Sequence, residues 1–242
     1  LFLSNLLGYD LDRETGTFSS PEKASLPQEL REILQYLEEE AISVYLDSEC
    51  STILESFTSQ EESLATARRI GAKLKKHPVQ KILVPHFKRQ LKPYQHPAVA
   101  HMVSVKHAAD FSVPGSGKTT IALATYASLK ASGEIDTMLV VSPRSAFMSW
   151  EDESMACFKQ APTIVRISGS KSDRRKRYRE ARHADIVLIT YQMILNDTDE
   201  ILRFLRNRLV FLVLDESHYI KRIEGGKWAN ALVSIAPLAK RR

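Results

Sequence analysis

Residues 112–119 constrain this chain more than any other stretch, because Gly115, Ser116, Gly117, Lys118 and Thr119 complete the pattern GxxxxGK[ST] with Ser112 in the place of its first glycine. Glycine is needed where the backbone must curl so that successive N–H groups point inward at an anion. Lys118 would place its ammonium on β and γ phosphates, and Thr119 would give its hydroxyl to Mg²⁺. The helix opening at Thr120 would add the positive end of its dipole. Ala108, Ala109 and Phe111 upstream predict a strand, and Ile121, Ala122, Ala124 and Leu129 downstream predict a helix over 120–130. The candidate nucleotide-binding residues here are therefore Gly115, Ser116, Gly117, Lys118, Thr119 and Thr120, with Lys118 also a catalytic candidate.

The 242 residues are 43% hydrophobic and 26% charged, which supports a sizeable core and excludes a wholly disordered chain. The longest apolar run, 209–214, is too short to span a bilayer, and no charged-then-apolar leader is visible. These features predict no membrane association and a cytosolic protein, or a nuclear one in a eukaryote. Position 1 is not Met, so a fragment is expected. Cys50 and Cys157 lack partners at metal-ligand spacing and read as reduced structural thiols. The net charge of +5 hides a division: residues 1–66 carry 14 acidic and 3 basic side chains, and the other 176 carry 15 and 31. Either both are solvated faces, or the basic body binds a polyanion on which the acidic head can dock.

Leu30, Ile33, Leu34 and Leu37 recur at helical spacing and predict an amphipathic helix over 27–41. Residues 42–57 continue as helix or short strand, and 61–76 predict a helix with Lys73, Lys75 and Lys76 at its dipole-favoured end. Gly8, Gly16, Ser19 and Ser20 suggest loops before these. Residues 1–78 are thus expected to form a small, mainly helical accessory domain, and 79–242 a second domain. In the latter, a short strand is predicted at 82–84, and strands and helices then alternate: strand 138–141, helix 146–158, strand 163–167, helix 172–182, strand 185–190, helix 198–206 and strand 209–214. That order gives an α/β fold with a mainly parallel sheet.

The uniformly apolar strand 209–214 runs into Asp215, Glu216, Ser217 and His218. Ligands of open α/β sheets sit beyond the carboxyl ends of strands. There Asp215 would hold Mg²⁺ and Glu216 would orient and polarise an attacking water.

Five elements in this order resemble the first RecA-like domain of superfamily-two helicase-like ATPases, most closely the Swi/Snf-type DNA translocases. The segment from Leu91 through Lys92, Pro93 and Tyr94 to Gln95 is similar to the family's adenine-recognition motif, with Gln95 at the base-reading position. The phosphate loop follows. Ser142, Pro143 and Arg144, with Trp150 and Glu151 on the next helix, resemble motif Ia, and Thr190 and Tyr191 resemble motif Ib; both motifs touch the nucleic-acid backbone in the family. The stretch from Asp215 through Glu216, Ser217 and His218 to Lys221 resembles the DEAH box. The resemblance covers about 85–240 and implies a RecA-like P-loop domain, ATP and Mg²⁺ as cofactors, and DNA as partner, with duplex favoured and single strands or RNA as alternatives. Ser112, Ser217 and Ala98 depart from the usual residues. Motif III and the second RecA-like domain with its arginine fingers are missing, so these 242 residues are expected to bind ATP and hydrolyse it poorly.

Lys171, Arg174, Arg175, Lys176, Arg177, Arg179 and Arg182 crowd one segment, extended by Lys81, Lys88, Arg89 and Lys92, and read either as a solvated face or as a phosphate-tracking surface. His86, His96, His101 and His107, with Trp150 and Trp228, read as structural. The leading expectation is an ATP-dependent DNA translocase or remodeller. The alternatives are a strand-separating helicase on DNA or RNA, and a scaffold module whose acidic head holds the ATPase off.

Overall fold

A computed structural model describes residues 10–12, 17–19, 26–43, 48–77, 79, 81–220 and 227–242. The chain divides into two compact units, Leu1–Thr66 and Ala67–Arg242, at the same point as its charge. In the first unit β1 (Asp10–Asp12) pairs antiparallel with β2 (Thr17–Ser19), where the sequence suggested only loops. α1 (Leu26–Glu39) half-buries Ile33, Leu34 and Leu37 and exposes Glu32, Glu38 and Glu39, as its periodicity requires. α2 (Ser48–Lys76) makes helix of residues 48–57, part of the segment 42–57 that sequence left open; residues 44–47 lie outside the described residues.

The second unit contains α3 (Gln95–Ser104), α4 (Lys118–Ala131), β3 (Thr137–Val141), α5 (Phe147–Cys157), β4 (Ile164–Arg166), α6 (Lys171–Glu180), β5 (Ile186–Ile189), α7 (Tyr191–Asn196), α8 (Thr198–Arg206), β6 (Val210–Leu214) and α9 (Lys227–Ile235). Four strands form one all-parallel sheet in the order β4-β5-β3-β6. Alternation splits each strand between two cores. Met138, Val140, Ile186, Leu188 and Phe211 face one cluster, with Val99 of α3, Ile121 and Leu123 of α4, and Trp150 of α5. Leu139, Val141, Val187, Ile189 and Leu212 face the other, with Tyr178 of α6, Ile201 and Phe204 of α8, and Leu232 of α9. A strand buried on both sides has no polar face to show, which is why residues 138–141, β5 and β6 are apolar, while the half-buried edge strand β4 admits Arg166.

Two predicted strands do not form. Residues 82–84 are extended without a ladder: Ile82 and Val84 pack on the core, Leu83 is exposed, and the Ile82 amide donates to His96 Nδ1 at 3.2 Å. The segment before the phosphate loop is also unladdered. Its Ala108 amide donates to the Arg242 carbonyl at 2.9 Å, and Phe111 is 91% exposed. Arg241 fixes this region instead, gripping Glu134 in a fork and donating to the Val103 and Val105 carbonyls. Arg241 also bridges Phe211 in parallel, so the chain before the loop lies beyond β6 in the plane of the sheet.

His107 sits in this corner with its Nδ1 buried and unpartnered. Burial, with Arg242, Lys106 and Arg241 nearby, lowers its pKa from 6.5 to about 4. Between those values the unfolded chain binds the proton and the native one does not, so stability present above pH 6.5 falls as pH drops and levels off below about 4. In urea unfolding, His107→Gln is expected to shrink the stability difference between neutral pH and the bottom of that window. An unchanged difference would show that the acid limb belongs to other groups.

Candidate nucleotide site

α4 starts directly after Gly117, whose backbone lies in the left-handed region at φ +81°, as does that of Gly115 at +79°. The first helical bond, Ile121 N–H to Gly117 carbonyl, is 3.0 Å, so the amides of the first turn are left for an acceptor outside the helix. Ser112 has a reason to replace glycine: its hydroxyl lies 2.7 Å from that of Ser116 and ties the two ends of the loop. Lys118 Nζ donates to the Val113 carbonyl at 3.3 Å, within the loop it would serve. A Cβ on Gly117 would meet Gln95 Nε2 at 2.6 Å, so a side chain there has to displace that carboxamide as well as strain the backbone at φ +81°.

Gln95 opens α3 and is 4% exposed. Its Oε1 accepts from the Lys92 amide at 2.9 Å and its Nε2 donates to the Ser116 carbonyl at 3.0 Å, which fastens α3 to the phosphate loop. A cavity of ≈ 170 Å³ opens beside it, lined by Arg89, Lys92, Gln95, Gly117, Thr120 and Glu153. Thr120 points at Glu153, to which Arg89 also donates. Arg89 therefore lines this pocket. Nearby Cys157 is no nucleophile, because burial, then Glu153, raises its thiol to about 12.

Asp215 follows β6. Its amide donates to the Val141 carbonyl at 2.9 Å, the Trp150 indole N–H donates to Oδ2 at 2.8 Å, and the Tyr191 hydroxyl donates to its carbonyl at 2.7 Å. Glu216 stands at φ +53°, strained for a residue with a Cβ, and its carboxylate is exposed 3.1 Å from His218 Nδ1. Lys221 lies outside the described residues.

The motif Ia and Ib candidates separate by burial. Ser142 and Tyr191 are buried, while Arg144 is exposed and Pro143 and Thr190 are partly so. Tyr191 stacks on Tyr219 at 5.6 Å and packs near Trp228, and burial, then the Asp215 charge, raises its hydroxyl pKa. The basic helix is also partly committed: Arg174 grips Asp197, Arg175 pairs with Glu200, and Arg177 donates to the Arg166 carbonyl. Sequence reading missed Glu153 and gave Trp150 only a packing role. Their i, i+3 spacing on an amphipathic helix was the available signal.

The arrangement fits a nucleotide with its cation: a cradle that excludes a Cβ, helix-start amides, one flexible ammonium, and the hard oxygens of Thr119 and Asp215 that suit Mg²⁺. The family described as type III restriction enzyme, res subunit, matches residues 74–238. Helicase SWR1 of Mycosarcoma maydis is 26% identical over 227 residues, covering 86% of this chain and 12% of the relative. Helicase SWR1 of Gibberella zeae is 33% identical over 124 residues, covering 49% and 7%. The chain thus spans about a tenth of the length of these curated relatives. The Sulfolobus solfataricus SWI2/SNF2 ATPase core, solved in complex with dsDNA, is 25% identical with a TM-score of 0.49, covering 64% of this chain and 31% of that one.

Proposed function

We propose a function from one premise: the chain belongs to the family of the type III restriction enzyme res subunit, and within superfamily two it is a Swi/Snf-type helicase-like ATPase domain. It supplies the first RecA-like half of an ATP-dependent motor that moves along duplex DNA. The observation that supports this reading is the hydrogen bond from Gln95 Nε2 to the Ser116 carbonyl, which fastens the candidate base-reading residue to the candidate phosphate loop.

In this reading the Gly117 and Lys118 amides and the Lys118 ammonium hold the phosphates, and Gln95, whose carboxamide ties α3 to the loop, lines the base side of the pocket. Thr119 and Asp215 hold Mg²⁺, which when bound withdraws charge from the transferring phosphoryl group. Glu216 accepts a proton from the attacking water at its exposed carboxylate. Arg144, with Pro143 and Thr190, meets the DNA backbone, and the uncommitted cations of α6 add sequence-independent attraction.

The test is ATP turnover by the complete polypeptide with no nucleic acid, single-stranded DNA, duplex DNA and RNA. The expected result is stimulation by duplex DNA that weakens with salt. Stimulation only by single strands or RNA would replace the translocase with a strand-separating helicase, and no turnover under any condition would contradict the motor.

A further inference from the structure

The proposed role of Asp215 leaves open what aims its carboxylate. The backbone of the residue is pinned by the Val141 carbonyl and the Tyr191 hydroxyl, but neither bond fixes the side chain. Trp150 does. Its ring is 3% exposed inside the core that holds Val140 and Phe147, and its one polar atom donates to Asp215 Oδ2 at 2.8 Å. Asp215 Oδ1 accepts no hydrogen bond from the described residues and is left for a cation. One turn further along α5, Glu153 accepts from Thr120 in the first turn after the phosphate loop and from Arg89. A single helix therefore holds both halves of the site, the end of β6 through Trp150 and the start of α4 through Glu153. The same helix begins just after exposed Arg144.

We propose that Trp150 is a positioning residue whose indole N–H fixes the Asp215 carboxylate for Mg²⁺, making α5 the brace between the two halves of the nucleotide site. The proposal rests on the reading of Asp215 as the metal-holding carboxylate. A buried ring supplies the orientation cheaply, since it has little rotamer freedom to lose on gripping the carboxylate. Hydrogen-bond partners of metal-holding groups are worth about 10–100-fold in metal affinity.

The experiment measures ATP affinity of the complete polypeptide by calorimetry, in EDTA and across an Mg²⁺ titration, for the unaltered protein, Trp150→Phe and Asp215→Asn. Phe keeps the buried ring and removes the donor. The expected result is unchanged ATP affinity of Trp150→Phe in EDTA and Mg²⁺ affinity weakened by about tenfold or more. Unaltered Mg²⁺ dependence in Trp150→Phe, with loss in Asp215→Asn, would reduce Trp150 to packing. Equal loss of ATP affinity with and without Mg²⁺ would overturn the proposal too, by showing a structural defect. Retention in both variants would remove the Asp215 reading and the proposal with it. A second measurement does not depend on Trp150→Phe folding. It uses the 242-residue chain, which has 2 tryptophans, so that Trp228→Phe leaves Trp150 as its lone indole. Its emission is expected to change when Mg²⁺ is added to the ATP complex and not when Asp215→Asn is also present; an unresponsive emission would contradict the coupling.

Discussion

Lys118→Ala is expected to lower any ATP turnover of the complete polypeptide by roughly 10²–10³-fold, the usual effect of removing one preorganised stabiliser of developing charge. The side chain stands at the start of α4, where the loop φ values of +79° and +81° at Gly115 and Gly117 turn the backbone inward. Among the described residues its only hydrogen bond is to the Val113 carbonyl at 3.3 Å, an exposed contact that adds little to stability, so the variant is expected to unfold at nearly the temperature of the unaltered protein. Turnover and stability are thereby separated. A melting temperature that collapses along with activity would place Lys118 in the scaffold, and activity within a few fold of normal would remove it from the site.

Arg174→Ala has the largest expected effect on stability. Arg174 donates from Nε and Nη2 to the two oxygens of Asp197, at 2.7 and 2.8 Å, and from Nη1 to the Gly169 carbonyl at 2.9 Å. Asp197 is 2% exposed and its carbonyl starts α8 by accepting from the Ile201 amide at 3.0 Å. Removing the guanidinium leaves a carboxylate buried without its counterion, which costs about 3–5 kcal/mol. For a chain of this size that lowers the melting temperature by roughly 10 °C. Arg175→Ala is the contrast: its pair with Glu200 leaves the Arg side chain 58% exposed, and the expected cost is below about 1 kcal/mol. Arg174→Met combined with Asp197→Leu recovers most of the loss, because no charge is then stranded. Equal melting temperatures for the two single variants would show that burial of the pair does not govern its strength.

These two residues also mark how far the sequence could be read. Lys118 was legible because a phosphate loop is a local device: spacing, glycine conformation and helix start all lie within one stretch. The inner strands β3 and β5, and β6 beside them, were legible because burial on both faces leaves apolar runs, as in residues 210–214. Arg174 was not. In a segment with six other cations it looked like one more surface charge, and its partner Asp197 lies two elements later. Trp150 and Asp215 are likewise joined only across the fold, so sequence showed an aromatic residue on a helix and no reason for its N–H to have a target. α7 was missed because its six residues follow β5 at once and contain apolar residues that also suit a strand end. The strand expected before the phosphate loop failed for a related reason. Apolar residues alone do not supply a ladder partner, and Phe111 stands in solvent.

Residues 112–119 are expected to cradle the phosphates of a nucleotide, and calorimetric titration of this chain with ATP and Mg²⁺, with Gly117→Ala beside the unaltered protein, decides it. The new methyl would fall 2.6 Å from Gln95 Nε2 on a backbone at φ +81°, so the cradle cannot keep its shape. The account predicts one ATP bound per chain and loss of that binding in Gly117→Ala while the circular dichroism of the fold is retained. Equal ATP binding by the two proteins, or none by either, would contradict it.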